Sequence, residues 1–179
     1  MIAIIDYGIG NLKSVHNAVR YIAPKTPSKV SSDPDFINKA DKVIFPGQGA
    51  MPDCIKELDK RGIRDVIIES AKKKPFLGIC LGLQLLFEKS EEGDVDGFGI
   101  FEGRIKKFQP NKQVRIKIPH MGWNKVHQSK NHPMWNNINP GSSFYFVHSF
   151  YASGVKKEYV TGTTSHGEKF TCAIAKETI

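Results

Sequence analysis

Three short, continuously apolar runs punctuate the first half of the chain. "IAIID" (2–6), "KVIFPG" (42–47) and "PFLGIC" (75–80) each precede a stretch with helical spacing. Such runs suit parallel strands buried on both faces. After the first run comes "NLKSVHNAVRYI", with Leu12, Val15, Val19 and Ile22 on one helical face, closed by Pro24 and Pro27. A helical stretch follows the second run as far as about Lys74, broken near Gly62, and "LGLQLLFEKS" (81–90) predicts a helix after the third. Strands alternating with helices imply a parallel sheet covered on both faces.

From about Phe98 the pattern changes. "GIFEGRIKKF", "QVRIKI", "SSFYFVHSFY", "EYVTGTTS" and "KFTCAIA" read as shorter strands separated by turns, a β-rich second half on the same sheet or beside it. The stretch 128–142 is the most loop-like. With 179 residues, 40% of them apolar and 25% charged, the chain is expected to form a single domain over 1–179 with its own core.

Composition also bounds the function. No apolar run approaches the length of a membrane span, and the opening residues lack the basic region of a signal peptide, so a cytoplasmic protein is expected. The net charge of +8 is compatible with nucleic acid, an acidic partner, or a solvated lysine-rich surface. The lysines are dispersed, apart from Lys72, Lys73 and Lys74, and no nucleic-acid motif accompanies them. Nucleic acid is therefore not expected; a docking face and a plain surface both remain. Cys54, Cys80 and Cys172 are scattered and odd in number, which argues against a disulfide framework or a zinc site.

Cys80 stands apart from the other two. Gly78, Ile79, Cys80, Leu81 and Gly82 form G-x-C-x-G between a strand and a helix, the pattern of a nucleophile elbow with cysteine in place of serine. The turn is tight, so small residues flank the nucleophile. The N-terminus of the following helix favours thiolate, and the Leu81 N–H is placed to face an oxyanion. A small core cysteine is the alternative. "FPGQGAM" (45–51) supplies a second glycine-rich turn. There Gly47 and Gly49 let the backbone, including the Gln48 N–H, point at a substrate. "DYGIGN" (6–11) contains G-x-G, but Lys13 replaces the third glycine of a dinucleotide fingerprint, and no cofactor is expected.

Taken together these residues resemble the class I glutamine amidotransferases, and within them the glutaminase subunits that feed a (β/α)8 synthase of histidine biosynthesis. The likeness rests on "IAIIDYGIGNLKSV", "FPGQGAM", "PFLGICLGLQLLFEKSEEG", "GFGIFEGRIKKF", "IPHMGWN" and "FYFVHSFY", in that order along essentially the whole chain. It implies a flavodoxin-like, mixed, mostly parallel sheet with a β-rich second half. It also implies hydrolysis of glutamine by Cys80 through a thioester, with ammonia passed to the (β/α)8 partner of a heterodimer. By the same resemblance Gly47, Gln48, Gly49 and Leu81 form the oxyanion region. Gln84, Tyr145, His148 and Ser149 line the glutamine pocket, and Asn11, Met121 and Trp123 lie near the partner. Gln48 stands where the family usually has a small apolar residue, and its backbone would do the work. Met121 and Trp123 could equally be core; the family match favours docking.

One part of the pattern is missing. The family's general base and its orienting carboxylate come from a late "HPE" segment, which this sequence lacks. The sequence is expected to break off a short way before it, with the native chain continuing past Ile179. His166-Gly167-Glu168 has the right spacing but falls where the family has a turn, so His166 is expected to be an exposed turn residue. Three alternatives stay open: a docking subunit that does not hydrolyse, a related glutaminase serving surface-sugar amidation, and a different thiol enzyme of the DJ-1 type.

Overall fold

The computed structural model describes residues 1–110 and 116–179. The first half builds β1 (Ile2–Ile5), α1 (Leu12–Ile22), β2 (Ser28–Ser31), α2 (Pro34–Lys39), β3 (Lys42–Gly47), α3 (Met51–Lys60), α4 (Arg64–Lys73), β4 (Phe76–Cys80) and α5 (Leu81–Gln84). The strands form a parallel sheet in the order β2-β1-β3-β4. Ala3, Ile4 and Ile5 are wholly buried, as an apolar run in a covered sheet requires. Asn11 caps α1, its side chain accepting from the Ser14 N–H, and Gly62 at φ +64° separates α3 from α4. Strand β2, "SKVS", carries too little apolar signal to be seen in the sequence; it exists because β1 offers it an edge.

The second half contains β5 (Phe87–Ser90), β6 (Val95–Asp96), β7 (Phe101–Lys107), β8 (His120–Lys125), β9 (His127–Gln128), β10 (Ser143–His148), β11 (Phe150–Ser153), β12 (Val160–His166) and β13 (Glu168–Ile174). Seven of these strands make one sheet, β6-β5-β7-β11-β13-β12-β9, and β10 pairs with β8 in a separate antiparallel ribbon. The run "SSFYFVHSFY" is thus two strands serving two sheets, divided at Ser149. The expected strand "QVRIKI" begins outside the described residues, and 116–118 carry no strand.

The helix expected over 81–90 is one turn long, and 87–90 is strand β5 instead. Leu85, Leu86 and Phe87 are all wholly buried, so no polar helical face is available to turn toward water. Phe87 packs on Phe101 of β7, ring centres 5.9 Å apart, and β5 pairs parallel to β7. One continuous core results, running from Ile5, Phe45 and Leu58 in the first half through Phe87 and Ile105 to Ile174. Among the described residues no helix is long and apolar enough to cross a membrane.

Candidate active site

Cys80 ends β4 and is the residue from which α5 starts, with φ 55° and ψ −112°. A non-glycine residue in this region is strained and persists only where the surroundings hold it. What holds it is glycine packing on both sides. A Cβ on Gly78 would lie 2.6 Å from the Gly82 carbonyl oxygen, and one on Gly82 would lie 1.9 Å from that of Phe45. The elbow is therefore the close approach of α5 to β4 and β3, which only hydrogen side chains permit.

The residue opens on a cleft of about 510 Å³ between β4, β10, β11 and β13. Gln84, Tyr145 and His148 line the same cleft, and Leu83, Phe150 and Cys172 join them. Gln84 donates from Nε2 to the Phe150 carbonyl at 3.4 Å. Gly47 sits in register with Cys80 across β3 and β4, which brings the 47–49 turn beside the thiol. Ser149 lies half-buried between β10 and β11 but does not line the cleft. The edge of β4 that faces the cleft leaves Leu77 and Ile79 exposed.

Two electrostatic expectations change. The Cys80 thiol is pushed above its ordinary pKa, mainly by burial of its inner side, with Glu92 adding to the rise; the Leu81 N–H pulls the other way and is outweighed. A helix of four residues has little dipole to oppose this. The Gln48 N–H, expected to face a substrate, donates instead to the Tyr7 hydroxyl at 3.1 Å. Tyr7 was not legible as a site residue. It follows β1, is wholly buried, and reaches the 47–49 turn only because β1 and β3 are neighbours. Cys54 and Cys172 have thiols pushed up to about 12, burial being the main cause, and stand as packing residues.

His148 is near the thiol but not free to serve it. Its Nδ1 lies 2.8 Å from the Phe150 carbonyl, which can only accept, so Nδ1 carries the proton. Nε2 then accepts from His120 Nδ1 at 2.9 Å, and His120 Nε2 accepts from the Asn124 amide at 3.3 Å. His120 begins β8, is buried, and stacks on Phe146 and His166. His166 also departs from expectation. It is half-buried, 4.2 Å from the His120 ring centre, and hydrogen-bonds the Lys117 carbonyl, while Glu168 accepts from Tyr151. His166 and Glu168 form no catalytic couple. Among the described residues His148 is the one histidine lining the cleft, and both its nitrogens are engaged.

The histidine cluster makes stability depend on pH. Burial first, then His166 and His148, push His120 down to about 4; His148 is lowered too, chiefly by burial. Unfolded imidazoles titrate near 6.5. Between those values the unfolded chain binds protons that the folded chain refuses, so stability is full above pH 6.5 and falls as pH drops toward 4. We expect a lower urea midpoint at pH 5 than at pH 7, and a smaller difference in His120→Asn. An unchanged difference in that variant would remove His120 as the source.

Along the β8–β10 ribbon Met121, Trp123, Tyr145 and Val147 share the face that alternates with His120, Phe146 and His148, in register as Met121 with Val147 and Trp123 with Tyr145, and Tyr145 and Val147 also border the cleft. Trp123 is 74% exposed and Met121 61%, so neither is core. Trp123 and Tyr145 pack edge to face at 5.6 Å. Asn11 is exposed at the start of α1.

The model of the family "Glutamine amidotransferase class-I" matches residues 3–178. The chain is 50% identical to imidazole glycerol phosphate synthase subunit HisH of Nitrosomonas europaea, covering 99% of this chain and 86% of the relative. It is 45% identical to the subunit of the same name from Neisseria meningitidis serogroup B, covering 99% and 87%. Among solved structures, a glutamine amidotransferase superposes with a TM-score of 0.67 at 11% identity, covering 94% of this chain and 86% of that one. A glutamine amidotransferase from Thermotoga maritima superposes at 0.63 and 15% identity, covering 95% and 68%. At those identities the solved structures establish the fold alone; the family match over nearly every residue establishes more, and this chain belongs to the class I glutamine amidotransferases.

Proposed function

We propose that the chain is the glutaminase subunit of imidazole glycerol phosphate synthase, one amidotransferase domain working in the cytoplasm beside a (β/α)8 synthase subunit. The observation that carries this reading is Cys80, fixed at φ 55° on the strand-to-helix turn and open to the cleft shared with Gln84 and Tyr145. The Cys80 sulfur attacks the side-chain amide carbon of glutamine, giving a tetrahedral oxyanion. Collapse to a thioester expels the nitrogen, which takes up a proton and leaves as ammonia. Water then attacks the thioester and releases glutamate and the thiol. The steps need no cofactor. The Leu81 N–H serves the oxyanion, joined by that of Gln48 once it leaves the Tyr7 hydroxyl, and Gln84, Tyr145 and His148 line the cleft that takes the glutamine, with Ser149 next to His148 outside it. His148 has both ring nitrogens hydrogen-bonded, and among the described residues lining the cleft there is no other imidazole and no carboxylate to take the thiol proton. Glutamate and ammonia formed in equal amounts, in the presence of the synthase subunit, is the expected result of a coupled assay. Glutamine left unconsumed by that complex would overturn the reading.

The exposed face of the β8–β10 ribbon serves as the docking surface in this proposal, and the family resemblance assigns the exposed Asn11 to the partner side as well. Large exposed aromatic and Met side chains are what interface centres use. Trp123→Ala is expected to weaken binding of the synthase subunit by roughly 30-fold, the effect of losing a hot-spot aromatic worth about 2 kcal/mol. Isothermal titration measures it directly. An unchanged Kd would take Trp123 out of the interface.

A further inference from the structure

The β8–β10 ribbon that carries the exposed aromatic face belongs to neither large sheet. Two strands alone are at best marginally stable in water, so the other face of the ribbon must hold it to the body. Register puts Asn124 opposite Phe144, Gly122 opposite Phe146 and His120 opposite His148 on that inner face. Three of these six positions carry hydrogen-bonding side chains, and they are joined in one direction. The Asn124 amide donates to His120 Nε2 at 3.3 Å and to the Ser165 carbonyl of β12 at 2.8 Å. His120 Nδ1 donates to His148 Nε2, and His148 Nδ1 donates to the Phe150 carbonyl of β11. Both ends of the relay therefore land on strands of the seven-stranded sheet. His120 also stacks on His166 of β12 and meets Phe170 of β13 edge to face.

The relay closes only while both rings are neutral. A proton added at His120 Nε2 would face an Asn124 amide hydrogen, and one at His148 Nε2 would face the His120 N–H. The surroundings offer that charge no compensation. His166 is a third imidazole beside them, bonded to the Lys117 carbonyl. Glu168 of β13 stands opposite His166 in the hairpin but accepts from Tyr151 of β11. Among the described residues no carboxylate accepts from an imidazole of this cluster.

We infer that Asn124, His120 and His148 are positioning residues for docking. Their neutral relay seats the ribbon on the seven-stranded sheet, charging it releases the ribbon, and the synthase subunit binds more weakly as pH falls. Trp123 and Tyr145 alternate with the relay positions along the same two strands, so a ribbon that lifts carries them with it. The inference rests on the glutaminase reading above and adds the device that presents its partner surface.

The test uses the full chain with its synthase subunit. A free imidazole titrates near 6.5, whereas His120 in the seated ribbon is pushed down to about 4, so seating is expected to weaken about tenfold from pH 7 to about pH 5.5. Hydrogen exchange reads this without the partner. Protection of the ribbon amides, corrected for the intrinsic rate at each pH, is expected to fall about tenfold. By isothermal titration the Kd is expected to rise about fivefold over the same range. His120→Asn keeps an amide N–H where Nδ1 stands but takes up no proton. Its Kd at pH 7 is expected to stay within about twofold of the unsubstituted chain, and its acid rise to shrink below about twofold. His120→Phe keeps the stacking and loses the donor, and is expected to bind about tenfold more weakly at pH 7. Should that variant not fold, His120→Asn decides alone. Equal ribbon protection at both pH values would overturn the relay as the seat. An acid rise in Kd that survives in full in His120→Asn would remove the relay from docking, as would unchanged affinity in a folded His120→Phe. An unsubstituted chain that does not bind the synthase subunit at pH 7 would instead fail the glutaminase reading, and ribbon protection would still judge the relay.

Discussion

Cys80→Ala is expected to abolish glutamine hydrolysis, lowering kcat by at least ~10⁴-fold, a loss typical of removing a nucleophile from a covalent mechanism. The expectation follows from place rather than from composition. The other two thiols are buried or half-buried and held near a pKa of 12, too protonated to attack. Cys80 alone stands at a strained backbone turn with open space in front of it. The substitution removes one sulfur from an exposed residue, and surface changes of that kind usually stay within about 0.5 kcal/mol. The melting temperature of Cys80→Ala is therefore expected to match the unsubstituted chain. Glutamate and ammonia formation by the complex with the synthase subunit is the measurement. Turnover that survives in a folded variant would move the nucleophile elsewhere and undo the elbow assignment.

Much of this site could be read before any coordinates. "PFLGIC" and "LGLQ" announce the strand, the turn and the helix start, because a tight α5–β4 approach leaves no choice but glycine at 78 and 82. "FPGQGAM" announces the neighbouring turn for a similar reason: Gly47 has no space for a side chain against Leu81. What stayed hidden depends on contacts between distant segments. Residue 7 meets residue 48 only through the pairing of β1 with β3, and nothing local in "DYGIGN" marks a tyrosine that bonds the 47–49 turn. The engagement of His148 arises from His120 and Phe150, on two different sheets. The thiol's raised pKa was not legible because it comes first from burial of the thiol by the tertiary fold and then from Glu92, neither of which the local pattern shows. Local pattern thus gives the elements and the tight turns, while the proton positions belong to the tertiary fold.

The largest effect on stability is expected at Gly82. Alanine there places a Cβ 1.9 Å from the Phe45 carbonyl oxygen and 2.9 Å from its carbon. Neither atom can yield. Phe45 lies in β3, between β1 and β4, and its ring is wedged among Tyr7, Phe76 and Phe98. Moving α5 outward instead would open the contact between Gly78 and Gly82 and unseat Leu81, which is 1% exposed. Overpacking a core typically costs 1–3 kcal/mol, and a clash with fixed backbone belongs at the top of that range. At roughly 2–4 °C per kcal/mol for a chain of this size, Gly82→Ala is expected to melt about 6–12 °C lower. Gly62→Ala is the matched comparison. Gly62 sits at φ +64° with nothing within 4 Å of its would-be Cβ, so it meets backbone strain alone, about 1–2 kcal/mol. A calorimetric scan of both variants separates the two causes. If Gly82→Ala melted no lower than Gly62→Ala, close packing would not be what the elbow's second glycine is for. If it melts well below, the glycine that frames Cys80 is there to let the helix reach the sheet, and the strained cysteine between the two glycines is a consequence of that approach.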